Sequence, residues 1–305
     1  MIPNRRDFLI ASALIAPLQR LTAAGAPNIH FPAAPRDRLA VASWSFREHL
    51  DLPENRAAKK THLVALTDFA RMVAERYQVH NVELLGQHMP STQPAYLREL
   101  LGAVRKAGSH VINIPAGTEK SLFDPHATSR AAAVADGKQW VDVAAALECP
   151  SVRLNIAGVK GVKPDVALTA EGLSQIAKYG QSKNIVVNLE NDDPDVEDAF
   201  FIVKVIDKVN SPWLRALPDF CNSMLKGDEK FNYDAVAAMF RRAYNIAHVK
   251  DSEVDNGKVF RVDLERSFKI AKASGFKGYY SAEFEGEGDA YAGVGRLVDA
   301  ALKYM

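Results

Sequence analysis

The sequence predicts one α/β domain, a (β/α)8 TIM barrel, and three observations predict it. Eight short apolar segments alternate strictly with eight longer amphipathic ones after residue 38. Together they occupy about 270 residues, close to the roughly 250 typical of an eightfold barrel. The first apolar segment runs into Ser45-Phe46-Arg47-Glu48, not into the glycine-rich phosphate turn that often opens a doubly wound sheet.

The candidate strands are residues 39–46, 81–85, 110–115, 151–156, 185–190, 214–220, 244–249 and 278–284. Helical patterns fill the intervals at 62–76, 94–107, 129–147, 168–183, 196–209, 233–244, 263–274 and 291–304. Pro94 is placed to begin its helix, and Gly108 and Gly275 stand where helices end. Strict alternation of this kind means a parallel sheet with helical crossovers. Residues 46–60 are polar and read as a loop over the barrel mouth. Residues 27–38, with prolines at 27, 32 and 35, read as a linker, and the barrel is assigned to residues 39–305.

Residues 1–26 read as an export leader. Arg5-Arg6-Asp7-Phe8-Leu9 opens an apolar run to Leu18, and small residues follow at Ala23, Ala24, Gly25 and Ala26. A charged start, an apolar run and a small-residue exit make a signal peptide. The paired arginines give it a twin-arginine form, so the expected location is exported and periplasmic. The apolar run is too short to cross a bilayer, which needs about 20 residues, and no membrane span is expected in the mature chain.

Composition excludes some classes of function. The net charge is +1, and it becomes −1 when residues 1–24 are removed with Arg5, Arg6, Arg20 and Asp7. Such a chain does not bind nucleic acid by charge alone. Two cysteines, Cys149 and Cys221, are too few for a disulfide scaffold. Nothing in the composition argues against a homo-oligomer.

In a barrel the chemistry gathers at the carboxyl ends of the strands. Glu190, Asp219, His248 and Glu283 end strands five to eight, at intervals of 29, 29 and 35 residues. Each interval is about one βα unit, so all four stand at one height around one centre. Three carboxylates and an imidazole suit one divalent cation, Mn²⁺ or Mg²⁺ first, with Co²⁺ or Zn²⁺ as alternatives. Each residue also has a plainer reading. Asp219 could cap the next helix, His248 could be a core histidine, and Glu190 could pair with Lys183. The shared register favours the metal.

The segments Leu189-Glu190-Asn191, Pro218-Asp219-Phe220, His248-Val249-Lys250-Asp251 and Ala282-Glu283-Phe284-Glu285-Gly286 resemble the strand ends of the sugar phosphate isomerase/epimerase (xylose isomerase-like) superfamily. The resemblance spans about residues 39–304, and Val82-Glu83-Leu84 fits the second strand. It implies that Glu190, Asp219, His248 and Glu283 bind one divalent ion. It further implies that Glu190 and Glu283 are the acid/base pair beside the substrate. Ketose 3-epimerases of this superfamily carry a histidine three residues after the strand-six Asp and an arginine six after the strand-seven His. Here those positions are Asn222 and Val254, which leaves the reaction open.

Arg153, Asn155, Trp44, His88 and Lys250 are the candidate substrate-binding residues. Arg153 and Asn155 could equally form a structural ion pair and strand-end hydrogen bonds. Trp44 and His88 could be packing residues. Lys250 is expected to pair with Asp251, and Glu83 faces the same centre without a metal role. The chemistry expected is removal of a proton next to the carbonyl of a keto-sugar, with a cation stabilising the enediolate. Reprotonation gives isomerisation or epimerisation. Loss of a group from the next carbon makes the enzyme a keto-sugar or 3-keto-glycoside lyase or dehydratase. A non-catalytic carbohydrate-binding barrel is the alternative of another class. A nuclease of the abasic-site family would want several strand-end histidines, and only His248 stands at such an end.

Overall fold

The structure is a computed structural model and describes residues 25–305. The expected leader therefore lies outside the described residues except for Gly25 and Ala26. Strands β1 (Leu39–Ala42), β2 (Asn81–Glu83), β3 (His110–Gly117), β4 (Ser151–Asn155), β5 (Val186–Glu190), β6 (Leu214–Leu217) and β7 (Ile246–Val249) follow in chain order. A hairpin, β8 (Ser252–Asp255) and β9 (Lys258–Arg261), precedes the last barrel strand, β10 (Tyr279–Ala282).

All eight barrel strands are parallel, in the order β6-β5-β4-β3-β2-β1-β10-β7. The seam between β6 and β7 is bridged at two points, Ala216 with Ala243 and Asp219 with His248. The second bridge joins two of the expected metal ligands, so the seam runs through the proposed centre. Helices α1 (Pro53–Ala57), α2 (Leu66–Tyr77), α3 (Pro94–Lys106), α4 (Ala127–Ala146), α5 (Val166–Lys183), α6 (Ala199–Val209), α7 (Glu229–Phe240), α8 (Leu264–Ala273) and α9 (Ala290–Tyr304) complete the chain. No helix among the described residues is long and apolar enough to cross a membrane.

Local chemistry sets these boundaries. Asp165, Asp198, Asp228, Asp263 and Asp289 cap α5 to α9, each carboxylate accepting a first-turn backbone N–H. The core is aliphatic between sheet and helices, with Val82, Val152, Val187, Leu189 and Leu214 fully buried. Two expectations shift. The first strand stops at Ala42, and Ser43–Phe46 forms a 3-10 turn. The serine hydroxyls there replace the strand ladder: Ser43 Oγ accepts from Leu85 N–H, and Ser45 Oγ accepts from Phe284 N–H. The polar loop at 46–60 contains α1 and buries Leu50 and Leu52. Asn55 ties it down by donating to the carbonyls of Arg47 and Leu50.

The stretch read as a linker lies across the amino ends of the strands. Trp213 Nε1 donates to Gly25 O, Tyr244 Oη donates to Pro27 O, and Asn28 exchanges two hydrogen bonds with Asn184. Phe31 meets Tyr244 and Tyr279 edge to face at 5.4 and 5.7 Å. It packs under a small cluster of Ala40, Ile112, Leu217, Ile246 and Tyr279. This strap forms the floor of the barrel.

Candidate metal centre and active site

Glu190, Asp219, His248 and Glu283 converge at the carboxyl end of the barrel. Each offers one ligand atom, and these atoms all lie within 4.8 Å of one another. His248 Nδ1 is 2.9 Å from Glu190 Oε1, 3.2 Å from Glu283 Oε2 and 3.9 Å from Asp219 Oδ2. All four side chains are buried. Parallel pairing produces the convergence: Glu190 sits opposite Leu217 on β6, and His248 opposite Ser281 on β10.

The plainer readings have definite outcomes. Asp219 does serve the turn that follows, because Oδ1 accepts from the N–H groups of Cys221 and Asn222. Its other oxygen, Oδ2, has no hydrogen-bond partner, though it is buried and faces the cluster. Lys183 pairs with Asp142, not with Glu190. Burial pushes the Asp219 carboxyl up to about 8 despite Lys250, and the nearby Glu190 and Glu283 charges add to the rise. Burial also raises Glu190, against the pull of Arg153 and His248. For His248, burial alone would lower the pKa, but Glu190, Glu283 and Glu83 outweigh it and hold it well above its ordinary value. Three buried carboxylates gathered round one imidazole, with a carboxylate oxygen unpartnered, fit a divalent cation.

Arg153 and Lys250 border the centre. Arg153 Nη2 reaches Glu190 Oε2 at 2.6 Å and Asp192 Oδ2 at 2.5 Å, and Arg153 also bonds Asn155. Asn155 donates to Asp192 and to Glu197. Glu197 is buried and also accepts from Ile156 N–H. The ion-pair and hydrogen-bond reading of Arg153 and Asn155 therefore holds, and the pair itself lines the cavity. Lys250 was expected to pair with Asp251, and the structure places it elsewhere. Its Nζ donates to Asn222 Oδ1 at 2.7 Å, to Glu253 at 3.0 Å and to Glu285. It also lies 3.4 Å from Glu283 Oε2. Neighbouring side chains at a strand end point to opposite faces, so Lys250 turns inward and Asp251 outward.

Above the centre opens a cavity of about 200 Å³. Its lining includes Trp44, Gln87, Asn155, Asp192 and Glu285 beside the centre itself. Trp44 donates to Glu285, and the Arg47 guanidinium stands over its ring at 4.6 Å. His88 is not in the lining. It is buried behind Trp44 with the rings stacked 6.2 Å apart, and it shares a 2.9 Å hydrogen bond with Ser43. Burial pushes its pKa down to about 4.

Several residues of the site carried no role in the sequence reading. Asp192 follows Glu190 by two residues, the strand period, which was the available signal for it. Glu197 falls inside the predicted 196–209 helix, which begins only at Ala199, Gln87 lies in the short 3-10 turn Gly86–His88, and Glu253 comes from the inserted hairpin, so no period marked them. Asn222, in the place of the ketose 3-epimerase histidine, donates to Glu190 Oε1 at 3.3 Å. Val254 lies exposed on the hairpin.

Comparison with known proteins places this architecture. No curated protein sequence matches the chain. D-allulose 3-epimerase from Methylomonas sp. superposes with a TM-score of 0.67 at 14% identity, covering 91% of this chain and 99% of that one. A xylose isomerase-like TIM barrel protein from Mycobacterium smegmatis, in complex with magnesium, gives 0.63 at 15% identity, covering 88% and 97%. The probable 3-DHS dehydratase AsbF from Bacillus anthracis gives 0.61 at 14% identity, covering 86% and 97%. At such identities these likenesses show the fold. The family model described as xylose isomerase-like TIM barrel matches residues 73–304, most of the barrel and all four strand-end residues, and the chain belongs to that family.

Proposed function

We propose that the protein is a divalent-metal-dependent enzyme that moves a proton on the carbon next to the carbonyl of a small keto-sugar, as an isomerase or epimerase. The observation that carries this reading is the meeting of Glu190 and Glu283 at one imidazole beneath the cavity. Glu190, Asp219, His248 and Glu283 would hold the ion, with Mn²⁺ or Mg²⁺ preferred for a mostly oxygen donor set. A bound ion would supply Lewis-acid polarisation of the sugar carbonyl and hydroxyl oxygens.

The residues divide the remaining work. Two strands, β6 and β7, separate Glu190 on β5 from Glu283 beyond β10, so the two carboxylates approach the centre from different sides. Their environments push their pKa values apart, which is how acid and base are distinguished in one site. Burial would raise Glu283, but His248 and Lys250 outweigh it and hold its carboxyl low. The low carboxyl of Glu283 suits the base, which must be ionised, and the burial that raises Glu190 suits the acid. Trp44 gives the sugar a flat wall. Gln87 offers hydrogen bonds to hydroxyls.

The electrostatics favour an uncharged substrate. Arg153 and Lys250 are each already held by at least two carboxylates, so neither is a free cation for a phosphate. A second outcome uses the same groups. If the next carbon carries a leaving group, the electrons of the broken C–H bond expel it, giving elimination. Asn222 in place of the ketose 3-epimerase histidine, and the likeness to a probable dehydratase, support keeping that outcome.

The test is incubation of the Mn²⁺-loaded protein with ketoses and 3-keto-glycosides in D₂O, followed by NMR. Deuterium should enter at the carbon beside the carbonyl. An epimer identifies epimerisation, and an unsaturated product identifies elimination. A fully metal-loaded protein that exchanges no hydrogen across the panel rules against the reading.

A further inference from the structure

Beneath the four strand-end residues a chain of buried polar side chains runs across the barrel interior. It begins with an irregularity between β2 and β3. Val82 pairs with Val111, but the register then shifts, and Glu83 pairs with Asn113. The shift sets Asn113 beside Glu83. Glu83, Asn113, Ser151 and Asn245 are all fully buried.

Asn245 Nδ2 donates to Ser151 Oγ at 2.8 Å, and the Ser151 hydroxyl faces two acceptors, Asn113 Oδ1 at 2.6 Å and Ile112 O at 2.9 Å. Asn113 turns its amide N–H₂ to Glu83 and donates to Oε1 at 2.7 Å. Glu83 Oε2 stands 2.9 Å from His248 Nε2. An ionised carboxylate only accepts, so the proton of that contact belongs to Nε2. The other ring nitrogen, Nδ1, is the one that faces Glu190, Asp219 and Glu283.

We propose that Glu83 is a positioning residue of the metal centre. It does not touch the ion. It holds the proton of His248 on Nε2 and fixes the ring, so that Nδ1 presents its lone pair to a divalent cation. A carboxylate behind a metal-binding histidine also makes the ring a stronger donor, and losing such a partner commonly costs 10- to 100-fold in metal affinity. Asn113 and Ser151 act one step further back, by fixing which way the Glu83 partner faces. The assignment rests on the metal reading of the four strand-end residues.

The experiment titrates the full protein with Mn²⁺ alone by calorimetry. Glu83→Gln is nearly isosteric, and Asn113 keeps hold of the one remaining oxygen. The new amide N–H₂ is then turned against Nε2, which must accept, and the proton moves to Nδ1. The expected result is a loss of Mn²⁺ affinity of at least about 10-fold. Adding Asn113→Asp lets the amide turn round, and the double variant should regain affinity over Glu83→Gln alone. Unchanged affinity in Glu83→Gln, or no recovery in the double variant, overturns the assignment. Wild-type protein that binds no Mn²⁺ overturns the metal reading itself and the assignment with it. Should the variants not fold, ¹⁵N-histidine spectra of the wild-type protein loaded with Zn²⁺ decide the matter. Nε2–H at His248 is expected, and Nδ1–H overturns the proposal.

Discussion

The two ends of this barrel are built from opposite chemistry. At the carboxyl end, Glu190, Asp219, His248, Lys250 and Glu283 are buried together, and Asp219 Oδ2 has no hydrogen-bond partner. At the amino end, Ala40, Ile112, Leu217 and Ile246 close against Tyr279 and Phe31, and the polar groups of the strap are paired. Crowded buried charge destabilises a fold, and apolar closure stabilises it. The difference teaches that the floor adds stability while the mouth gathers buried charge at a cost to it. Variants at the mouth should change chemistry and can relieve the cost of buried charge, and variants at the floor should lower the melting temperature.

The largest effect expected tests the mouth. Glu283→Gln and Glu190→Gln keep an oxygen but remove the carboxylate base. General acid–base groups contribute roughly 10²- to 10⁴-fold, so each variant should lose at least about 100-fold in turnover on a confirmed substrate. Hydrogen exchange with solvent should fall in parallel while melting stays near wild type. Near-normal exchange in a metal-loaded Glu283→Gln variant would move the base to Glu285 or Lys250.

A sharper form of the comparison uses Asp219→Asn in the metal-free protein. The Asp219 carboxyl sits at about 8 when folded, against an ordinary 3.8, chiefly through burial. An acid whose pKa is raised by folding favours the folded state below its unfolded pKa, and that advantage is lost as pH rises towards the folded value. Relative to wild type, Asp219→Asn should therefore gain stability from about pH 4 to pH 8 and level off above. The gain at pH 7 should be on the order of 1–4 kcal/mol. The same variant should lose divalent-ion binding. A metal-free Asp219→Asn protein that melts below wild type at pH 7 would show that the mouth is not a strained cluster.

The smallest effect tests the floor. Phe31 is half-buried against Tyr244 and Tyr279. Full removal of a buried phenylalanine costs about 3–5 kcal/mol, so Phe31→Ala should cost about 2 kcal/mol. Metal affinity should not change. A variant with unchanged melting, or with altered metal binding, would dissolve the division between the two ends.

The parts legible in the sequence were those that follow a period. Strand and helix alternation gave the barrel, and the spacing of Glu190, Asp219, His248 and Glu283 gave the centre. What escaped depends on contacts that no period encodes. Residues 27–38 of the strap look like a proline-rich linker, and Gly25 and Ala26 like the end of a leader, because their partners, Asn184, Trp213 and Tyr244, are more than 150 residues away. The Ser252–Arg261 hairpin adds Glu253 to the partners of Lys250, and it interrupts the expected path from the seventh strand to its helix. The shift between Val82 and Glu83 is a single-residue event, yet it decides what stands behind His248. His88 reads as a mouth residue because Trp44 covers it only once residues 43–46 turn.

The strap has one more consequence, for attachment. Gly25 is tied to Trp213 beside the start of β6, and α9, running back along the barrel from β10, ends at Tyr304 on the same side. Both ends of the described chain therefore leave from the floor, opposite the cavity. A protein fused at the carboxyl end, or a solid support coupled there, will hold the molecule with its mouth turned outward. Small substrates would reach the centre without passing the tether, and immobilisation through the carboxyl terminus should leave their entry unobstructed.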